Sequence, residues 1–226
     1  MKTLGLLIVL FCTAFLCSCG LPRTDKALTP TSSIFWDVDN LDSIGGSSTR
    51  VLDRPCLIET DRGKAVEFDG IDDGLIVDAL PLAGAVKFTL EIIFRPDADG
   101  PAEQRFLHLQ ENGSENRILI ETRVRGDKWY LDTYIRSPHG NLALFDPNNN
   151  HTTGRWYSAA LTYDGGTMRH YVNGIEEMSG KLAFSPLGTG KTSIGVRMNR
   201  VYWFKGAIRK VKFTPHVLDS KQLLRP

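Results

Sequence analysis

The sequence predicts an all-β protein, an antiparallel two-sheet jelly-roll sandwich with a short helical turn at its C-terminus. Three observations carry this. Apolar and polar residues alternate with period two along most runs after residue 33. Pairs tolerant of positive φ, such as Gly126-Asp127 and Asn173-Gly174, stand between those runs at hairpin spacing. The chain carries 21 Gly and 11 Pro against 4 Met in 226 residues, a balance that suits turns and strands better than a helix bundle. With 27 Lys+Arg against 26 Asp+Glu the formal net charge is +1, so no general basic footprint for nucleic acid exists.

Taken from the N-terminus, residues 1–18 (MKTLGLLIVLFCTAFLCS) read as a secretory signal. Lys2 supplies the positive end, and the apolar run from Leu4 to Leu16 is shorter than the ~20 residues a spanning helix needs. Leu16-Cys17-Ser18-Cys19 resembles the bacterial lipobox, which implies cleavage before Cys19 and lipid attachment to it. Two or more acyl chains anchor stably where a single chain does not. The residue after Cys19 is Gly20 rather than Asp, which by analogy favours the outer membrane of a bacterial cell envelope. Residues 19–33 carry two Pro and several Ser and Thr without apolar period and read as a linker; 34–226 is the domain. Only Cys56 then remains free of signal and lipid, so no intramolecular disulfide is available, and a buried, inert thiol is expected.

Within the domain, Lys87–Arg95 places Phe88, Leu90, Ile92 and Phe94 on one face and Thr89, Glu91 and Arg95 on the other. Arg117–Arg125 sets Ile118, Ile120, Thr122 and Val124 against Leu119, Glu121, Arg123 and Arg125. Lys128–Arg136 and Trp156–Tyr163 repeat the pattern, and one-sided polarity of this kind belongs to antiparallel sheets. Trp129 and Trp156 are both assigned to the core, and Glu91 to the solvent side. Asp219–Leu224 reads as a single helical turn capped by Asp219.

Four stretches also carry a family resemblance: AVEFDGIDDGLIV (65–77), FTLEIIFRPD (88–97), GRWYSAALTYDGGTMRHYVNG (154–174) and WFKGAIRKVKFTPHVLDSKQL (203–223). In this order they resemble the laminin-G-like domains of the concanavalin A-like lectin/glucanase superfamily. The resemblance implies a jelly roll of about a dozen strands, with lectin-like binding or glucanase activity as the superfamily's alternatives. Arg209 and Lys210 follow Ile208 where relatives often carry an acidic pair, so no acidic role transfers there.

Catalysis finds little support in the one-dimensional pattern. Retaining glycosidases need carboxyl groups ~5–5.5 Å apart, and the superfamily's Glu-x-Asp-x-Glu strings are missing. Glu59-Thr60-Asp61 begins one, but Gly63 and Lys64 follow. Tyr202–Ile208 (YWFKGAI) is similar to a string of jelly-roll alginate lyases, without their Gln-Ile/Val-His companion. His108, His139, His151, His170 and His216 show no metal spacing, and His170 alternates as a packed strand residue. Gly188–Thr192 ends in Gly-Lys-Thr but lacks the first glycine of a phosphate loop.

The sequence therefore points to a non-catalytic, envelope-facing binding module for a glycan or protein, with a glycan-degrading enzyme or a structural adhesion domain as alternatives. Binding candidates are the polar loop residues Asn148, Asn149, Asn150 and His151 and the aromatics Tyr202 and Trp203. Calcium is the one cofactor considered, at Asp72 and Asp73 in the acidic loop 69–73, where some laminin-G-like domains hold it at a rim. Expected partners are the membrane, through the lipid, and a glycan or an envelope or extracellular protein.

Overall fold

The computed structural model describes residues 32–226; the signal segment, Cys19 and nearly all of the linker lie outside them. Seventeen strands follow in chain order: β1 (Ile34–Asp37), β2 (Ser43–Ile44), β3 (Ser47–Leu52), β4 (Cys56–Thr60), β5 (Gly63–Asp69), β6 (Gly74–Val77), β7 (Phe88–Pro96), β8 (Glu103–Glu111), β9 (Arg117–Arg125), β10 (Lys128–Ser137), β11 (Gly140–Phe145), β12 (His151–Thr152), β13 (Tyr157–Tyr163), β14 (Thr167–Val172), β15 (Ile175–Lys181), β16 (Gly190–Ile194) and β17 (Lys205–Thr214). The count exceeds a dozen because short pieces such as β2 and β12 register separately. A 3-10 turn at Ser220–Gln222 follows Asp219 and supplies the expected helical turn.

The strands form two antiparallel sheets. One runs β15-β14-β13-β7-β17-β5-β4, with β1 beside β5 on the same edge of β17; the other runs β11-β10-β9-β8-β16-β6-β3-β2, with β12 on β10. This is the jelly-roll sandwich that the alternation predicts. Gly126-Asp127 closes β9 onto β10 with Gly126 at φ 61°, and Asn173-Gly174 closes β14 onto β15 with both residues at positive φ. The expected tight link at 70–73 crosses between the sheets, from β5 in one to β6 in the other. The Gly-Lys-Thr string lies in β16 as plain strand.

The inner faces interdigitate in one apolar core. Phe88, Leu90, Ile92 and Phe94 from β7 are fully buried, as are Ile118 and Ile120 from β9 and Trp129 from β10. Phe94 knits the sheets together. Its ring stacks on Phe106 of the opposite sheet at 4.6 Å and meets the Trp129 edge at 5.2 Å. Such aromatic pairs add to the area each ring buries. His170 packs in this core with Nδ1 3.0 Å from Thr133 Oγ1, and burial lowers its pKa to about 4.

Three expectations are corrected. Trp156 precedes β13, outside the core; Tyr157, Ala159, Leu161 and Tyr163 take the inner phase. Trp156 is instead half-buried between the Arg95 and Arg209 guanidiniums, 5.8 and 5.5 Å from its ring. Glu91, assigned to solvent, is 0% exposed. The reason is the C-terminal segment, which crosses the outer face of the eight-stranded sheet. Thr89 Oγ1 donates to the His216 carbonyl at 2.9 Å, and the Leu224 amide donates to Glu91 Oε1 at 2.6 Å. Leu223 packs there on Ala160 and Tyr171, and Lys212 Nζ lies 2.8 Å from Glu91 Oε2. Cys56, expected to be buried, is exposed, because β4 is the edge strand of its sheet and no described residue covers it.

Candidate binding face

The outer face of the nine-stranded sheet is where side-chain chemistry gathers. Cross-strand partners share a face, so the pairing itself maps it. One row reads Arg50, Ile76, Ser193, His108, Leu119 and Tyr134 from β3 to β10. The next reads Arg105 on β8, Glu121 on β9, Asp132 on β10 and Phe145 on β11. Above these strands lies an open depression of about 250 Å³, to which Arg117, Arg123 and Arg197 also contribute.

The Glu121–Asp132 pairing in this second row follows from a turn. Gly126-Asp127 places Arg125 opposite Lys128, so four residues back along β9 and four forward along β10 set Glu121 opposite Asp132. Each carboxylate is closed by its own guanidinium. Arg105 Nε lies 2.8 Å from Glu121 Oε2, and Arg123 Nη2 lies 2.8 Å from Asp132 Oδ2. Glu103 bridges both arginines, at 3.5 Å from Arg105 and 2.5 Å from Arg123. Burial, and secondarily the Asp132 charge, push Glu121 up to about 7, against the pull of Arg105 and Arg123. Burial also raises Asp132, with Arg123 opposing it. Facing carboxylates in a drying environment favour the neutral form of one of them.

Beneath the arginines sits His108, fully buried. Its Nδ1 accepts the Met198 amide at 2.9 Å, so the ring proton is on Nε2, where it has no partner. Burial first, then Arg197, Arg117 and Arg105, lower its pKa to about 3. His108 is therefore a neutral floor, unsuited to proton transfer near pH 7.

The sequence-predicted candidates flank this row without joining in one site. Tyr202, exposed and at φ 63°, lies under the Arg105 guanidinium at 3.7 Å, at the β8 end. Trp203 beside it is half-buried. The Asn-rich loop leaves from Phe145 at the β11 end, roughly three strand spacings, or ~14 Å, away. Its amides close on the loop: Asp146 Oδ1 accepts both Asn148 nitrogens at 2.9 Å, and Asn150 Nδ2 donates to the Pro147 carbonyl at 2.8 Å. Asn149 is held by its backbone amide to the Asp146 carbonyl at 3.1 Å. His151 turns to the other sheet, with Nε2 2.7 Å from Glu177 Oε1 and its ring against Trp129. Sequence reasoning missed Arg105, Arg117, Glu121, Asp132, Tyr134, Phe145 and Arg197, although the hairpin register was available to find the facing carboxylates.

The acidic loop brings Asp53 to Asp72 and Asp73, with one carboxylate oxygen from each within 4.8 Å of the others. Asp73 spends both oxygens on backbone amides, of Arg54 at 2.9 Å and Asp69 at 3.0 Å. Calcium takes six to eight oxygens. With Asp73 closing the loop, Asp53 and Asp72 are the exposed carboxylates of this cluster.

The Laminin_G_3 family model, described as the concanavalin A-like lectin/glucanases superfamily, matches residues 69–223. The chain belongs to this superfamily. Among solved structures, this superfamily member is similar to domain 4 of AbnA, a GH43 extracellular arabinanase from Geobacillus stearothermophilus, in complex with arabinotriose. The TM-score is 0.62 at 19% identity, over 85% of this chain and 95% of that one. It is also similar to the binding domain of botulinum neurotoxin serotype D (TM-score 0.60, 13% identity, 84% of this chain and 50% of that one). A heptameric SAP-like pentraxin from Limulus polyphemus matches with TM-score 0.57 at 16% identity, over 70% of this chain and 78% of that one. At these identities the likeness is one of fold. No curated protein matches the chain by sequence.

Proposed function

We propose that this superfamily member is a non-catalytic binding module, held in the bacterial cell envelope by lipid on Cys19, that takes a glycan on the outer face of its nine-stranded sheet. One observation carries the reading. The depression over β8–β11 combines an exposed aromatic, Phe145, with a buried row of polar groups whose carboxylates are already closed by Arg105 and Arg123. Aromatic faces stack on the apolar faces of sugars, and fixed guanidiniums and carboxylates hydrogen-bond hydroxyls. A carboxylate tied to its own guanidinium is a weakened nucleophile toward a glycosidic carbon. The neighbouring arabinanase domain in complex with arabinotriose supports a glycan ligand.

The test is retention of polysaccharides by the purified protein and by Phe145→Ala. Retention that the substitution weakens supports the reading. Retention of no glycan, or retention indifferent to Phe145, overturns it.

A further inference from the structure

The outer face is more cationic than the chain as a whole. The depression over β8–β11 is lined by Arg105, Arg117, Arg123 and Arg197 against only Glu121 and Asp132. A second depression of about 410 Å³ lies over β3, β6 and β16, lined by Arg50, Lys191 and Arg200 against Asp78. The row from Arg50 to Tyr134 runs through both, and the segment after β16 supplies Arg197 to one and its neighbour Met198 to the other. Seven cations line the two depressions against three lining carboxylates, with Glu103 and Glu115 at the border paired to Arg105, Arg123 and Arg117, on a chain of formal net charge +1.

Ion pairs consume part of this excess: Arg105 with Glu121, Arg123 with Asp132, both of these arginines with Glu103, and Lys191 with Asp78 at 3.1 Å. Among the described residues, Arg50, Arg197 and Arg200 have no ion pair. Arg117 is nine-tenths buried and binds Glu115 through Nη1, yet its Nε is buried without a partner, as is Arg105 Nη1. A buried guanidinium N–H left unpaired is costly, and an incoming acceptor removes that cost. Burial, and then repulsion from Arg117 and Arg105, lower the pKa of Arg197, a strain that a bound anion would relieve.

Resting on the glycan reading above, we propose that this face recognises an acidic polysaccharide, with carboxylates of its sugars seated on Arg117 and Arg197 and a sugar face on Phe145. The planar fork of arginine matches the two oxygens of a carboxylate, and successive acidic sugars offer charges to both depressions.

The experiment measures the affinity of the purified protein for polygalacturonate, a neutral arabinan and a sulfated glycan, each at low and physiological salt. Polygalacturonate binds tightest, weakens as salt rises, and loses about tenfold or more in Arg197→Gln, as expected for a charged hydrogen bond. Lys64→Gln on the other sheet removes the same charge without touching the face and keeps wild-type affinity. Unchanged thermal midpoints show that both variants are folded. Equal affinity for polygalacturonate and arabinan overturns the acidic specificity and leaves the glycan reading standing. Preference for the sulfated glycan overturns the carboxylate assignment alone. Retention of none of the three overturns both.

Discussion

Glu121 and Asp132 face each other across the β9–β10 pair, and each is held by a different arginine from a neighbouring strand position. This arrangement has a measurable titration. Glu121 rises from 4.5 to about 7, so the folded state binds a proton that the unfolded state releases. Its contribution to stability is complete below its unfolded pKa and fades as pH climbs through about 7. Between pH 5 and 8 the wild type should lose on the order of 1–3 kcal/mol from this group. Urea midpoints across that range check it as the difference between wild type and Glu121→Gln. A pH-independent difference contradicts it.

The two buried histidines act in the opposite direction. His108 and His170 are lowered from 6.5 to about 3 and about 4, so the unfolded state takes up protons first as pH falls. Their contribution is full above 6.5 and is lost progressively below it. Acid unfolding should therefore begin between pH 6 and 4. Replacing His170 with Gln should flatten that limb while lowering stability at pH 7, read from thermal midpoints at each pH.

Trp156 and Trp129 separate the core from its border. Trp129→Ala, inside the core, should cost about 3–5 kcal/mol. Trp156→Ala removes only a half-buried ring between two guanidiniums, worth about 1–2 kcal/mol. Equal denaturation midpoints for the two variants would place Trp156 in the core after all.

Glu91→Gln should destabilise by roughly 3–5 kcal/mol, because it leaves the Lys212 ammonium buried without its counter-charge. Glu91→Gln combined with Lys212→Met should recover much of the loss. Loss of stability in the single variant with no recovery in the double would contradict the pairing.

These contrasts show what was legible in the sequence. The sheet class and strands such as Arg117–Arg125 follow from local alternation, and the structure reproduces them. Inner phase was readable wherever four apolar residues alternate, as in Phe88 to Phe94. It failed at Trp156, where a single large ring outweighed the odd-numbered run Tyr157 to Tyr163. Glu91 was misread because alternation reports polarity, whereas its burial depends on a C-terminal segment more than 120 residues away in sequence. The candidate face was illegible for a related reason. Arg105, Glu121 and Phe145 are each one polar-phase residue on a separate strand, and only the register assembles them. The exception is the Glu121–Asp132 pair, whose spacing from a two-residue turn was on the page.

Anchoring through Cys19 has its own test. Cys19→Ser should move the protein from the membrane fraction to the soluble fraction and abolish acyl labelling. Membrane retention without labelled lipid would remove the anchor.

On the proposed function, the outer face of the nine-stranded sheet binds a glycan and leaves it uncleaved. The most direct measurement incubates purified protein with the polysaccharides it retains and assays reducing ends and unsaturated products. Binding without any product, weakened by Phe145→Ala, is the predicted result. Sustained release of product that Glu121→Gln abolishes would contradict it, and would make the facing carboxylates of β9 and β10 a catalytic pair.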